Sequence, residues 1–388
     1  MKLEHVKLED IAVFQRGFDI TVKEQQEGIV PVISSGGISS HHNEFKVRGP
    51  GVVIGRKGTL GTVHYSESDF WPHDTTLWVK DFRGNDPKFV YYFLKTLGLE
   101  RFDAGASNPT LNRNHIHKLK VKLPNFKVRS KIASILSAYD ELIENNTQRI
   151  ALLEQMAQEI YKEWFVRLRF PGYEEVPLVD GLPQGWERVK IKEFGKVITG
   201  KTPSTKVEDY FNGDIPFLKI PDMEQGIFIL KTQETLTEKG ANSQSKQFVP
   251  ADSISVSCIG SIGKIAILNR DSQTNQQINS IIIRVKTLRE YLYFTLKDMK
   301  QTFESFAATG ATMGNLSKGK FESMAILRPN KYTLKLYSET VNPIFEEIKI
   351  LSLKNENLKQ TRDLLLPRLI SGKLSVEHLV DEPQQETA

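Results

Sequence analysis

The chain has a single cysteine, Cys258, in 388 residues. A lone thiol forms no internal disulfide and builds no thiolate zinc site, so neither device holds this fold together. Cys258 is expected to be a small apolar filler. Charge of one sign is also not in large excess: 52 Lys and Arg against 47 Asp and Glu leave a net charge of +5. That balance permits a polyanionic partner without demanding one. Long apolar runs are missing. The stretch Ile281–Ile283 falls far short of a membrane span, and the opening MKLEHVKLED has no apolar signal-peptide core, so no membrane association and a cytoplasmic location are expected. With 39% hydrophobic and 26% charged residues, the composition is that of a globular protein with room for two or three cored domains.

What the sequence does have is a copy of itself. GASNPTLNRNHIHKLKVKLP at 105–124 returns, degenerate but ungapped, as GATMGNLSKGKFESMAILRP at 310–329. Gly105 aligns with Gly310, Leu111 with Leu316, Leu119 with Met324 and Pro124 with Pro329, at a constant offset of 205 residues.

The offset persists into the segments that follow. Apolar positions fall at Ile132, Leu136, Tyr139, Ile143, Ile150, Leu153, Ala157, Ile160 and Trp164 with Asn146 among them, an unbroken alternation of four- and three-residue steps. Adding 205 gives Tyr337, Val341, Ile344, Ile348, Leu351, Asn355, Leu358, Arg362, Leu365 and Leu369. Such spacing is the signature of a coiled-coil seam, and an asparagine in it fixes register at some cost in stability. Each seam is longer than a helix packed on its own domain needs, and the simplest partner for each is the other. Pro343 is expected to kink the second helix or delay its start.

Upstream of each seam, short β-like runs (Gly28–Ile33, Gly51–Ile54, Thr75–Val79) alternate with Gly/Ser turns and a helical stretch near Pro87–Leu97. Val6-Lys7-Leu8 matches Val189-Lys190-Ile191, Gly17 matches Gly200, Ile29–Val32 resembles Asp214–Phe217, and Gly58–Gly61 resembles Gly260–Gly263. The fold expected is therefore α/β (α+β): two similar modules with a pseudo-twofold internal repeat, separated by an antiparallel two-helix coiled coil. The boundaries are 1–124 for the first module, 125–168 for the first spacer helix, 169–185 for a Pro/Gly-rich linker, 186–329 for the second module, 330–375 for the second helix and 376–388 for an acidic tail expected to be disordered.

Catalytic readings fail on inspection. Gly195–Thr202 satisfies G-x-x-x-x-G-K-[ST], but Pro203-Ser204 follow at once where a phosphate-binding loop would open a helix. Asn108-Pro109-Thr110 and Asn342-Pro343-Ile344 fall short of the Asn-Pro-Pro-aromatic motif of an adenine methylase, and Glu347-Ile348-Lys349 lies on the coiled-coil helix without a Pro-Asp partner. His41-His42 and His115/His117 are expected at the surface and lack nearby cysteines or an HExxH arrangement, so no metal site is expected.

The order of module, helix, linker, module and helix, with LLEQMAQEIYKEWF at 152–165, GLPQGW at 181–186, GKTPS at 200–204 and LLLPRLISGKL at 364–374, resembles the specificity subunits of type I restriction-modification enzymes across nearly the whole chain. The resemblance implies two target-recognition domains, each reading one half of a split double-stranded DNA site in the major groove. It also implies paired helices that dock two methyltransferase subunits, with restriction/translocase subunits joining through the complex. This chain would bind no cofactor; S-adenosylmethionine, ATP and Mg would belong to the partner subunits.

DNA recognition needs cations on phosphates and hydrogen-bonding side chains on base edges. Loop residues able to supply them are Arg16, Ser35, Arg56, Lys57, His64, His73 and Asn108 in the first module. In the second they are Lys201, Thr202, Lys219, Ser261, Asn275 and Gln276. Arginine pairs well with guanine and glutamine with adenine, so Arg56 and Gln276 lead. An exposed apolar flank on the helices, including Leu142, Ala151 and Phe165, is expected to meet methyltransferase helices. The alternative is a coiled-coil scaffold or adaptor whose modules bind protein and ignore DNA sequence.

Overall fold

A computed structural model describes residues 3–102, 110–308 and 314–379, so Gly105, Asn108 and Gly310 lie outside the described residues. The chain divides into two compact units, Met1–Asn145 with Glu356–Ala388, and Asn146–Asn355. Each contains a set of mixed sheets and a stretch of both long helices. Among the described residues, no helix is long and apolar enough to cross a membrane.

In the first unit a four-stranded antiparallel sheet runs in the order Val13–Arg16, Thr76–Asp81, Gly51–Gly55, Val63–Ser66. The apolar run Gly51–Gly55 is buried throughout, as expected for a central strand packed on both faces. A second sheet pairs Val30–Ser34 with Gly37–His42 antiparallel and with Trp71–Pro72 parallel. The helix Pro87–Lys95 starts where Asp86 accepts hydrogen bonds from the Lys88 and Phe89 N–H groups, with Pro87 in its first turn. It buries Phe89, Val90, Tyr92, Phe93 and Leu94 in a core shared with Ile132 and Leu136 of the first long helix.

The second unit repeats the strand order with one strand added: Gly195–Thr199, Ile278–Ile283, Ile254–Ser257, Ile265–Leu268, Phe228–Ile229. Its hydrogen bonds correspond to those of the first unit. Leu8 N–H donates to Leu119 and Ile191 N–H to Met324, both at 2.9 Å. Leu111 N–H donates to Arg56 at 3.0 Å, and Leu316 N–H to Cys258 at 2.9 Å. The parallel pairs Val32↔Trp71 and Phe217↔Gln273 also match.

The long helices are Phe126–Tyr161 and Lys331–Ile370. Their starts are alike: Asn125 Oδ1 accepts from Val128 N–H at 3.0 Å and Asn330 Oδ1 from Thr333 N–H at 2.8 Å. Every expected seam position is buried or half-buried, including Ile132, Leu136, Ile143, Ile150, Leu153, Ile348, Leu351, Leu358 and Leu365. The expected asparagines meet: Asn146 Nδ2 donates to Asn355 Oδ1 at 2.9 Å, with Asn355 Nδ2 donating to Thr147 Oγ1 at 3.2 Å. Arg149 and Glu347 pair at 3.2 Å, so within this unit the helices run antiparallel.

Four expectations need correction. Of the two outcomes expected of Pro343, a delayed start is not seen, since the second helix begins at Lys331 and continues to Ile370. The lost N–H bond is outweighed because Tyr337, Val341, Phe345 and Ile348 seat the turns on both sides in the core. Phe165 is not part of an exposed flank: it lies in a single π turn, Lys162–Val166, packed on Tyr291 and Tyr337 at ring-centroid distances of 4.7 and 4.8 Å. The linker is not wholly irregular, since Leu178–Val179 pairs with Leu182–Pro183 around the positive-φ turn Asp180-Gly181. The described residues of the tail are structured, with Val376 buried in the first unit's core before a 3-10 turn at Glu377–Leu379.

Candidate nucleic-acid interface

In the first unit, five of the expected DNA-contacting residues meet at one turn, His73-Asp74-Thr75: His73 belongs to it, and Arg16, Arg56, Lys57 and Ser35 bond to it. Arg16, at the end of its strand and exposed, donates from Nη2 to Asp74 Oδ2 at 2.7 Å. Arg56 Nη1 reaches the Asp74 carbonyl at 3.5 Å, and the Arg56 and Lys57 N–H groups donate to Thr75 O at 2.8 and 3.0 Å. His73 Nδ1 lies 3.0 Å from Thr75 Oγ1 and 3.1 Å from Asp74 Oδ1. Ser35 N–H donates to Thr75 Oγ1 at 3.4 Å, and His64 Nε2 lies 3.2 Å from the Ser35 carbonyl. Burial pulls the Arg56 guanidinium below its ordinary range and the Arg16 charge adds to this, while Asp74 opposes both.

Gly17 explains how closely these loops approach: a Cβ there would lie 2.1 Å from the His73 carbonyl. Ser35 is buried and its N–H is engaged by the turn, whereas Lys57 is exposed.

The second unit holds an equivalent turn, Asn275-Gln276-Gln277, by the same backbone bonds. Phe18 N–H donates to Pro72 at 2.8 Å and Lys201 N–H to Thr274 at 2.9 Å; His73 N–H donates to Ile33 at 2.9 Å and Asn275 N–H to Leu218 at 3.1 Å. Arg56 N–H to Thr75 likewise corresponds to Cys258 N–H to Gln277, at 2.7 Å. Here too a glycine sits at the crossing, and a Cβ on Gly200 would lie 2.1 Å from Thr274 Oγ1.

The side chains differ. Asn275 is buried and holds the turn, accepting from Gln277 N–H at 3.1 Å and donating to Gln277 Oε1 at 2.9 Å. Gln276 is exposed and accepts from Thr202 Oγ1 at 2.6 Å. Lys201 is exposed, as is Ser261, whose carbonyl accepts from Ser257 Oγ at 2.5 Å. Lys219 is ion-paired with Glu234 and lies over the Phe217 ring at 5.7 Å.

The remaining chemistry-bearing residues are structural. Gly195–Thr199 is a strand and Lys201 N–H is bonded to Thr274, so the G-x-x-x-x-G-K-T run does not cradle a phosphate. His42 is buried rather than at the surface, taking Gln26 N–H on Nδ1 at 2.9 Å, and His117 Nε2 accepts from Phe14 N–H at 2.9 Å. Burial pushes the Cys258 thiol up to about 11, as befits an inert filler. Among the described residues a single group offers three metal-ligating side chains, Asp19, His73 and Asp74, and Arg16 already occupies one Asp74 oxygen.

Sequence reasoning missed Asp74 and Thr75, the two residues on which the first group converges. A carboxylate is the wrong sign for a phosphate contact, and only its place beside His73 marked it. Here its carboxylate accepts from Arg16 and its carbonyl from Arg56.

Comparison with known proteins bears directly on this arrangement. Residues 2–155 and 183–360 match the family described as the type I restriction modification DNA specificity domain. The chain is 32% identical over 329 residues to the HindI specificity subunit of Haemophilus influenzae, covering 69% of this chain and 71% of that protein. It is 26% identical over 303 residues to the MjaIX specificity subunit of Methanocaldococcus jannaschii, covering 75% and 70%. Its fold is similar to the crystal structure of the type I restriction-modification system S subunit from M. genitalium, with a TM-score of 0.64 and 16% identity over 95% of this chain and 96% of that one. The chain therefore belongs to the type I restriction-modification DNA specificity family, the non-catalytic subunits that give such complexes their sequence-specific DNA recognition.

Proposed function

We propose that this chain reads a bipartite, gapped double-stranded DNA site with two similar target-recognition domains, residues 1–124 and 186–329. Each serves one half of the site. The helices at 125–168 and 330–375 form the spacer, an antiparallel coiled coil in a pseudo-twofold repeat, with 169–185 as the linker between its halves. Their exposed apolar positions, Leu142, Leu152, Met156 and Leu364, provide the docking face for two methyltransferase subunits. Restriction/translocase subunits enter through that complex, which works in the cytoplasm. S-adenosylmethionine, ATP and Mg act on the partners.

The observation that carries the reading is the pair of equivalent turns, built by the same hydrogen bonds and presenting different side chains. A constant frame with exchangeable side chains is what two readers with different targets require. In the first half Arg56 reads a base edge, Lys57 and Arg16 meet phosphates, His64 and His73 contribute from neighbouring positions, and Asn108, outside the described residues, adds an amide. In the second half Gln276 reads, Lys201, Lys219 and Thr202 position the backbone, and Ser261 adds a hydroxyl. Ser35 and Asn275 support the turns from beneath.

The test is to co-express the chain with its neighbouring methyltransferase in a methylation-free host and map methylated adenines. A gapped two-part motif that vanishes without the chain supports the reading. An active complex with no chain-dependent motif moves the scaffold alternative to first place.

A further inference from the structure

The second unit contains a buried ionic clasp between its sheet, a short helix and the second long helix. Arg289 opens the helix Arg289–Asp298 with its side chain only 7% exposed. Its Nη1 donates to Asp252 Oδ1 at 2.6 Å, and Nε to Glu290 Oε1 at 2.9 Å. Its Nη2 donates to Asn342 Oδ1 and Glu346 Oε1, both at 2.8 Å. Asn342 and Glu346 stand one turn apart on the same face of the long helix, so the guanidinium fork is matched to that helix in both position and orientation. Glu290 adds a second tie, accepting from Ser338 Oγ at 3.3 Å.

A buried charge network contributes little net stability compared with an apolar replacement, but its geometry tolerates few alternatives. Asp252 lies at positive φ, 64°, in the turn that launches the strand Ile254–Ser257. Ser257 Oγ, at the end of that strand, bonds to Ser261. The clasp thus connects the long helix to the root of a loop in the candidate interface. At the corresponding junction of the first unit, Lys88 and Glu141 pair at 3.0 Å with side chains 32% and 68% exposed, against 7% and 43% for Arg289 and Glu346. Tyr92 and Arg362 meet there on Asp140 instead.

We propose that Arg289 is a positioning residue that fixes the second recognition domain on the second long helix, and that discrimination at the second DNA half depends on this clasp. The proposal rests on the reading of residues 186–329 as a recognition domain.

The test is the double variant Asn342→Ala/Glu346→Ala in the full chain, co-purified with its methyltransferase and read by mapping methylated adenines in host DNA. It removes both partners of Arg289 on the long helix, leaving Arg289 with Asp252 and Glu290 and the Ser338 tie to Glu290 in place. The expected result is a roughly tenfold loss of discrimination at second-half positions with the first half unchanged, and retention of the wild-type motif by Glu346→Gln, which keeps an acceptor oxygen. If the double variant does not assemble, Glu346→Ala alone is read in the same way. A wild-type motif in the variant, or equal blurring of both halves, overturns the proposal. A wild-type complex that writes no second half overturns the recognition-domain reading itself, a different outcome.

Discussion

The turns His73–Thr75 and Asn275–Gln277 share a hydrogen-bonded backbone and differ in what they present. The first is charged, with Arg16 on the Asp74 carboxylate and Arg56 on the Asp74 carbonyl. The second is neutral, with Asn275 and Gln277 bonded to one another and Gln276 facing outward beside Thr202. Backbone bonds hold each frame, so side chains can vary without rebuilding it.

The most drastic way to break the comparison is to break a frame. Gly17→Ala sets a Cβ against the His73 carbonyl and Gly200→Ala sets one against Thr274 Oγ1, each 2.1 Å away before any shift. Each variant should lose about 3 kcal/mol of stability in thermal unfolding and destroy recognition of its own half alone. A smaller effect comes from changing one side chain on an intact frame. Arg56→Ala should cost about 1–3 kcal/mol and relax one position of the first half, and Gln276→Ala should do the same in the second half. Uniform weakening on all DNA by Arg56→Ala would contradict its role as a base reader.

Lys201→Ala should be milder and of another kind. Binding should weaken about equally on every sequence, and the slope of log affinity against log salt should fall by about 1. The smallest effect concerns pH. Burial pulls His117 below the ordinary histidine range, with Glu9 opposing and Arg113 reinforcing, and its neutral Nε2 accepts from Phe14 N–H. The unfolded chain then takes up a proton more readily than the folded one. The stabilisation is therefore present above about pH 6.5 and is lost as pH falls towards the lower folded value. The second module carries Glu322 at the offset position, so hydrogen exchange near pH 6 should show extra opening in the first module only.

Much of the fold was legible because the sequence carries its pattern twice, at an offset of 205 residues. The seams from Ile132 to Trp164 and from Tyr337 to Leu369 follow from spacing alone, and the asparagines at 146 and 355 meet as a seam requires. Asn125 and Asn330 cap at the same offset. What spacing cannot show is how a residue resolves competing demands. Pro343 reads as able to delay the second helix until the buried side chains around it are known, and Phe165 reads as exposed until the π turn directs it inward. The candidate interface was legible as residue types but not as partnerships. Arg16, Ser35, Arg56, Lys57 and His73 were named from their chemistry, whereas their meeting at Asp74 and Thr75 depends on loop crossings with no sequence signal beyond Gly17.

The most direct test of the central claim is a module exchange. Residues 1–124 are replaced by the corresponding segment of a related specificity subunit, and the methylation motif is mapped before and after. A new first half joined to an unchanged second half and gap is the predicted result; a motif altered in both halves, or unaltered, would contradict two separate readers on a shared frame.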